Sequence, residues 1–337
     1  MIPPSPSDTR PTQHYAWQQA NLPGEIVMSF DVNTTANTYT RVGHQKGSED
    51  PRARSFLFIL ELLEILGEQR PRYILIENVV GFEKSNTRDR TLAQLQKLQY
   101  TIQEFIINPL DIGVPNSRSR YYLLAKAPQL GFHGELPYGL QPMADPTLSA
   151  PLPHHPSAEV ATLEAFFART AALDVNAPQT WADYQVPAET LAKRGFLLDT
   201  VTLDSRRTCC FTKGYAHYAE GTGSVLRRRD VPEWGVAPIK HRPGATTTHD
   251  QEAGIDMVAE ESQQSDCSRI PVEEASTRVV ARYFTEYEIA VLMGFPVPPF
   301  NFPAETNQKQ RYRLLGNSLN VNVVALLLTY LMRDAAE

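Results

Sequence analysis

The feature that most constrains this chain is an apolar run that ends abruptly in a carboxylate. Residues 73–81 read Tyr-Ile-Leu-Ile-Glu-Asn-Val-Val-Gly, and Pro71 stands just before them. A continuous apolar run of this length between turn residues is typical of a buried strand in a parallel sheet. Ligands of open α/β sheets bind beyond the carboxyl ends of the strands. Glu77 is therefore a candidate functional carboxylate; the alternative is that it only caps the next element.

The bulk composition limits the class of protein. A length of 337 residues suits two packed lobes. The net charge of −6 gives no overall nucleic-acid signal, so an anionic partner would need a local basic patch. Three cysteines argue against a disulfide framework and predict a reducing compartment, the cytoplasm or nucleus. No stretch has the length and purity of a membrane span, so no membrane partner is expected.

The pattern of apolar residues predicts alternating strands and helices. Residues 24–32 read as a strand that ends in Asp31, and residues 52–67 as a helix that is apolar almost all round and hence buried. Residues 100–107 and 120–126 read as two antiparallel strands that close the far side of the sheet.

Three helix starts carry capping signals. Thr87 can cap the helix that follows the Glu77 strand, and Ser318 can cap the last helix. Thr285 and Glu288 form a capping-box pattern, with Gly294 as the C-terminal stop.

The ends and middle of the chain look less ordered. Residues 1–14 read as a disordered tail, residues 128–160 as a Pro-rich linker, and residues 250–275 as an acidic loop. The linker holds adjacent histidines, His154 and His155, but no further ligands stand at a useful spacing. No metal site is therefore expected.

Four segments in order resemble the cytosine-C5 methyltransferase family. They are Glu77-Asn78-Val79, Asn116-x-Arg118-x-Arg120, the block YFTEYEIAVLMGFP at 283–296, and GNSLNV at 316–321. Three further strings, DVNTTAN at 31–37, VPNSR at 114–118 and CFTKGY at 210–215, are similar to the eukaryotic tRNA-aspartate branch of that family.

The resemblance implies a fold of α/β class. A Rossmann-like, S-adenosylmethionine-dependent methyltransferase lobe would span residues 15–132 and 306–337. A smaller target-recognition lobe would occupy residues 133–305, including the Pro-rich linker and the acidic loop. The partner implied is tRNA, with DNA as the alternative.

The resemblance also assigns catalytic roles. Family members add a cysteine thiolate to C6 of cytosine so that C5 can take a methyl group, while an acid acts at N3. Glu77 matches that acid, and burial would raise its pKa. Arg118 and Arg120 alternate along one strand, so both would point into the pocket and hold the base. The alternative for this Arg-x-Arg pattern is a solvated face.

Binding roles follow from the same resemblance. Asp31 matches the acid that binds the cofactor ribose, and Val32 would lie against the adenine. Asn317 and Ser318 match the loop that closes over the cofactor. In the recognition lobe, the cations and aromatic residues expected to grip nucleic acid are Arg206, Arg207, Lys213 and Tyr215. The alternative is an ordinary charged loop.

Two family segments are absent from the sequence. The glycine-rich cofactor loop should precede residue 15, and Pro-Pro-Cys-Gln-Pro should stand before a segment like the one that begins at Tyr39, but Thr38 joins it directly. Cys209, Cys210 and Cys267 are not expected to replace the missing nucleophile, because thiol catalysis needs accurate placement. The sequence predicts a tRNA cytosine-C5 methyltransferase that is inactive as written; the alternatives are an RNA-binding pseudoenzyme and a DNA methyltransferase.

Overall fold

The structure, a computed structural model, describes residues 27–31, 54–143, 158–170, 173–230 and 280–333. Within these ranges the chain forms two sheets and eight α-helices. The predicted disordered tail, the histidine pair and the acidic loop lie outside the described residues.

The larger sheet has four strands in the order β1-β2-β4-β3. They are β1 (Val27–Asp31), β2 (Tyr73–Val79), β3 (Thr101–Ile107) and β4 (Arg120–Lys126). β1 runs parallel to β2, and β4 runs antiparallel to both β2 and β3. The prediction of two antiparallel strands at the far side of the sheet is confirmed. All seven residues of β2 are buried, as its apolar run predicts.

The helices divide between the large sheet and a second, smaller lobe. Near the large sheet lie α1 (Arg54–Ile65) and α2 (Asn86–Lys97). The second lobe contains α3 (Leu163–Phe167), α4 (Pro178–Asp183), α5 (Ala188–Arg194), α6 (Glu286–Leu292) and α7 (Gln308–Gly316). The last described helix is α8 (Val321–Leu331).

Alternate residues of β2 enter two different cores. Ile74 and Ile76 belong to the cluster that contains the buried side chains of α1 and α2. Tyr73 and Leu75 belong to the cluster that contains Leu327 and the other buried side chains of α8. Because successive side chains of a strand point to opposite faces, helices cover both faces of this sheet. The last helix therefore packs on the sheet that carries Glu77.

One expectation about α1 is wrong. The helix is apolar almost all round, which predicts full burial, but Phe58 is 60% exposed and Ile65 is 75% exposed. Among the side chains described from residue 56 onward, the buried ones form the stripe of Phe56, Leu60 and Leu63, spaced by three and four residues. A helix that lies on one face of a sheet buries such a stripe and exposes the opposite side.

Of the three capping predictions, one is confirmed and two name a residue near the actual cap. The Thr285–Glu288 capping box is present at the start of α6, and Gly294 after that helix has a φ of +83°. The start of α2, in contrast, is capped by Ser85, whose Oγ accepts a hydrogen bond from the backbone N–H of Arg88.

α8 also differs from expectation. Its cap is Asn320, whose Oδ1 accepts a hydrogen bond from the backbone N–H of Val323, and not Ser318. In both helices the predicted residue is a suitable type that stands two positions from the residue used. Local composition therefore identifies the helix start only to within half a turn.

The second lobe has its own sheet and core. Its sheet has the order β5-β6-β7, with β5 (Asp199–Val201), β6 (Ser224–Arg227) and β7 (Ala281–Tyr283). Arg282 and Glu288 form an ion pair of 2.6 Å inside this lobe, and both side chains are at most 2% exposed. Tyr312 and Leu315 of α7 pack in this core, whereas α8 packs on the large sheet. The chain thus passes from the core of the second lobe to the core of the large sheet between α7 and α8. The sequence predicts that change earlier, at residue 306.

Residues Gln308–Leu331 are long and apolar enough to cross a membrane by length and composition alone. They are two helices, α7 and α8, and the buried side chains of each pack in a different protein core. Core helices of this kind pass the same test, so the segment is no evidence for a membrane span.

We predict that Leu327→Ala lowers the free energy of unfolding by about 2–5 kcal/mol, because it leaves a cavity between α8 and the sheet. Leu327 is fully buried. Leu314→Ala is the matched control in the neighbouring helix, since Leu314 is 53% exposed, and it should change stability by less than about 0.5 kcal/mol. Urea denaturation measures both; equal effects would contradict the packing of α8 on the sheet.

Candidate active site

Glu77 forms an ion pair with Arg120 at the end of the large sheet. The Nε of Arg120 lies 3.2 Å from the Oε1 of Glu77, and the two side chains are 14% and 1% exposed. Arg120 is opposite Val79 in the β2–β4 register, so Glu77, two residues away, projects to the same face. Glu77 is not a helix cap, because Ser85 caps α2.

Arg118 joins three separate parts of the chain. It lies just before β4 and is 2% exposed. Its Nη1 donates to the Cys210 Sγ and to the Phe211 carbonyl, each at 3.2 Å. Its Nη2 donates to the carbonyls of Gly316, at 3.3 Å, and of Ser318. The guanidinium therefore connects the entrance of β4 to the CFTKGY segment and to the turn before α8.

The Arg-x-Arg prediction needs one correction. Arg118 precedes β4, whereas Arg120 is the first residue of that strand, so the two do not alternate along one strand. Both guanidinium groups nevertheless act on the Cys210 thiol. The low exposure of both side chains excludes the alternative of a solvated face.

The segment before Arg118 is bonded to the second lobe. The Asn116 Nδ2 donates to the Thr208 Oγ1 at 2.9 Å and to the Cys209 carbonyl at 3.2 Å. The backbone N–H of Ser117 donates to the Thr208 carbonyl at 2.8 Å. These bonds fix residues 208–211 beside the end of the large sheet, and we call this junction of the two lobes the cleft.

Gly316 brings the turn before α8 against the same segment. A Cβ at Gly316 would lie 2.1 Å from the backbone N of Lys213 and 2.3 Å from the backbone C of Thr212. Only a residue without a side chain allows this approach of two backbones. Arg118 and Gly316 together hold the CFTKGY segment at the cleft.

Cys210 is the site residue that the sequence analysis missed. The sequence places it in the recognition lobe and not at a strand end beside the cofactor residues, but its Sγ lies 3.2 Å from Nη1 of Arg118. Burial alone would raise the pKa of the Cys210 thiol, but the charges of Arg118 and Arg120 and their hydrogen bonds outweigh it, so the pKa is lowered. The sequence feature that could have identified Cys210 is the string CFTKGY, which begins at this residue.

Cys209 is next in the chain and has the opposite environment. Burial first, and the neighbouring Asp199 carboxylate second, raise the pKa of Cys209 to about 11. Both thiols are partly exposed. The Cys209 Sγ accepts from Arg207 Nη1 at 3.7 Å, but Arg207 is itself paired with the Asp199 carboxylate, whereas Arg118 and Arg120 both act on Cys210.

The residues assigned to the cofactor are only partly described. Asp31 is the last residue of β1 and is the register partner of Glu77, which places the two strand ends side by side; of Asp31 only the backbone is described. Val32 lies outside the described residues. Asn317 and Ser318 form the turn before α8, and the Ser318 carbonyl accepts from Arg118.

The residues assigned to nucleic acid do not form one surface of free cations. Arg206 is 3.4 Å from Glu159, and Arg207 is 3.0 Å from Asp199. Lys213 is exposed beside the cleft. Tyr215 is 4% exposed; its hydroxyl donates to the Ser224 carbonyl and accepts from the Phe284 N–H. Its ring is therefore part of the core of the second lobe and does not face a nucleic acid.

The family described as C-5 cytosine-specific DNA methylase matches residues 37–333. The chain belongs to this family. The family match confirms the predicted resemblance, and the α/β architecture is a Rossmann-like methyltransferase fold.

Individual members of the family match nearly the whole chain. The mouse tRNA (cytosine(38)-C(5))-methyltransferase is 32% identical over 401 residues, covering 94% of this chain and 90% of the relative. The Dictyostelium discoideum DNA (cytosine-5)-methyltransferase is 28% identical, covering 96% and 92%. The crystal structure of S. pombe Dnmt2 methyltransferase superposes with a TM-score of 0.60 at 31% identity, covering 91% of this chain and 78% of that one.

No group of three or more histidine, cysteine, aspartate or glutamate side chains suitable for a metal ion occurs in the part of the chain that the structure describes.

We predict that Gly316→Ala destabilises the protein by about 1–3 kcal/mol, because the new Cβ must displace the backbone of residues 212–213. Gly131→Ala is the control, since its Cβ would meet only the side chain of His133, at 3.3 Å, and it should stay within about 0.5 kcal/mol. Thermal unfolding measures both. Equal melting temperatures for the two variants would contradict the close approach at Gly316.

Proposed function

We propose that this chain is a cytosine-C5 methyltransferase by descent that binds S-adenosylmethionine weakly and tRNA, and that it does not complete methyl transfer as written. The observation that carries the proposal is the Glu77–Arg120 ion pair beside the buried Arg118 at one end of the sheet. These are the residue types needed to hold a cytosine by its carbonyl oxygen and ring nitrogen.

The geometry suits the recognition of a flipped base. The Glu77 carboxyl lies 3.2 Å from the Arg120 guanidinium at the end of β2, and a carboxyl group there can exchange a proton with N3 of a bound ring. The Arg120 guanidinium supplies donors for the carbonyl at C2, whereas the terminal nitrogens of Arg118 are used by protein acceptors and position the surrounding segments. A base must leave its stack to reach such a cleft, so the substrate would be an unpaired or flipped cytosine.

The residues at the ends of β1 and β2 fit the ribose of the methyl donor. S-Adenosylmethionine would supply the methyl group. Asp31 ends a parallel strand next to Glu77, where a carboxylate can accept the hydrogen bonds of ribose hydroxyls. The Nδ2 of the buried Asn78 has no hydrogen-bond partner among the described residues, so it can serve a polar ligand. We propose Asp31, Val32, Asn317 and Ser318 as the residues that would contact the donor.

The missing nucleophile is the reason for proposing inactivity. The sequence contains no Pro-Pro-Cys-Gln-Pro and only the cysteines Cys209, Cys210 and Cys267. The alignment with the mouse relative spans 401 residues, whereas this chain has 337, so the relative contains internal segments that this chain lacks. The covalent intermediate requires a thiolate at C6.

Transfer RNA is favoured over DNA as the nucleic acid. The mouse relative is named as a tRNA methyltransferase, and its identity of 32% exceeds the 28% of the Dictyostelium relative named as a DNA methyltransferase. The string CFTKGY, which the sequence analysis linked to the tRNA branch, forms one wall of the cleft through its contacts with Arg118 and Gly316.

We expect no methyl transfer to tRNA above background from the purified chain. The measurement is tritium transfer from labelled S-adenosylmethionine, with a version restored to carry a glycine-rich loop and a Pro-Pro-Cys-Gln-Pro segment as the positive control. Turnover by the unmodified chain that disappears on Cys210→Ala would contradict the proposal, because Cys210 would then have replaced the nucleophile.

We expect tRNA binding to persist and to weaken with salt, because it depends on cation–phosphate contacts. Lys213→Ala should lower the affinity and reduce the slope of log K against log salt by about 1. Lys193→Ala is the control, because Lys193 is equally an exposed lysine of the second lobe but is paired with Glu189 at 2.7 Å. An unchanged slope for Lys213→Ala would remove Lys213 from the binding surface.

A further inference from the structure

We propose that Cys210 is a modification site of this protein: a reactive thiol at the cleft that forms mixed disulfides with low-molecular-weight disulfides and adducts with other soft electrophiles. The methyl-transfer chemistry of the family does not require this role. The proposal does not depend on turnover or on RNA binding.

The first support is the set of charged groups around the sulfur. Arg118 donates to the Cys210 Sγ at 3.2 Å, and Arg120 also faces the thiol. The one described carboxylate in this group, Glu77, is paired with Arg120 at 3.2 Å. Arg118, Arg120 and Glu77 together carry a net positive charge, which favours the thiolate form of Cys210.

The second support is a surplus of buried donors at the same place. Arg118 is 2% exposed, and its Nε has no hydrogen-bond partner among the described residues. A buried donor without an acceptor costs free energy, so an acceptor atom that reaches it is stabilised. An oxygen or sulfur atom of a group attached to Cys210 would supply one.

The third support is the contrast within the CysCys pair. The pKa of Cys210 is lowered, whereas the pKa of Cys209 is raised to about 11. The two residues share the same segment and the same partial exposure. A difference in reactivity between them would therefore report Arg118 and Arg120 at Cys210 against the neutralised Arg207–Asp199 pair at Cys209.

The chemistry needs only a disulfide as the second reactant. The Cys210 thiolate attacks one sulfur of that disulfide, a new S–S bond forms, the old one breaks, and the other half leaves as a thiolate. Cys210 is oxidised and the departing half is reduced, so electrons balance. The product replaces the thiol that accepts from Arg118 Nη1 by a disulfide sulfur.

The experiment compares single-cysteine chains. Cys209→Ser with Cys267→Ser leaves only Cys210, and Cys210→Ser with Cys267→Ser leaves only Cys209. Intact mass spectrometry follows alkylation by iodoacetamide from pH 6 to pH 10. At pH 7 the Cys210 chain should react about 10-fold faster or more, because the larger thiolate fraction outweighs the lower nucleophilicity of a more acidic thiol. Its apparent pKa should lie below the ordinary value of 9.0.

Three further measurements make the test decisive. Glutathione disulfide should form a mixed disulfide with the Cys210 chain and not with the Cys209 chain. In urea the two chains should react at the same rate. Arg120→Leu in the Cys210 chain should raise the apparent pKa and slow the reaction at pH 7, with circular dichroism confirming the fold. An apparent pKa of Cys210 at or above 9.0, or equal rates for the two folded chains, would overturn the proposal.

Discussion

The Arg118 guanidinium is the interaction on which the site depends. It is a buried cation whose hydrogen bonds reach the CFTKGY segment and the turn before α8. A buried charge is tolerated only where polar partners replace the lost water. Here most of those partners are backbone carbonyls from segments about 90 and 200 residues away along the chain. The two lobes must therefore meet before Arg118 can be satisfied, which links the folding of each lobe to the cleft.

Features that depend on neighbouring residues in the chain could be predicted from the sequence, whereas features that depend on distant residues could not. The β2 run shows its burial in its own composition, and the capping box at Thr285 is contained in four residues. Cys210 could not be placed in that way. Its neighbour Arg118 is 92 residues away, and the lowered pKa arises from two charges on another segment. No local pattern carries that information.

Two other differences have the same origin. Tyr215 has the residue type of a base-stacking platform, but the backbone groups of Ser224 and Phe284 occupy its hydroxyl inside the core. Arg206 and Arg207 have the type of phosphate-binding residues, but each has a carboxylate neighbour. The Arg206–Glu159 pair is exposed and therefore weak, so a polyanion can compete for Arg206, whereas the Asp199 partner of Arg207 is only 14% exposed. Composition identified the chemistry available in the second lobe, and tertiary contacts decided which groups face outward.

The buried Arg282–Glu288 pair has an evolutionary consequence. The two carboxylate oxygens of Glu288 accept hydrogen bonds from the two terminal nitrogens of Arg282. The Oε2 atom of Glu288 also accepts a hydrogen bond from the backbone N–H of Thr285. One carboxylate thus neutralises a buried cation and completes the start of α6. Replacing either residue alone leaves an uncompensated buried charge. The route from this pair to an apolar one therefore passes through a poorly folded intermediate, so the two positions are expected to change together or not at all as the family diverges.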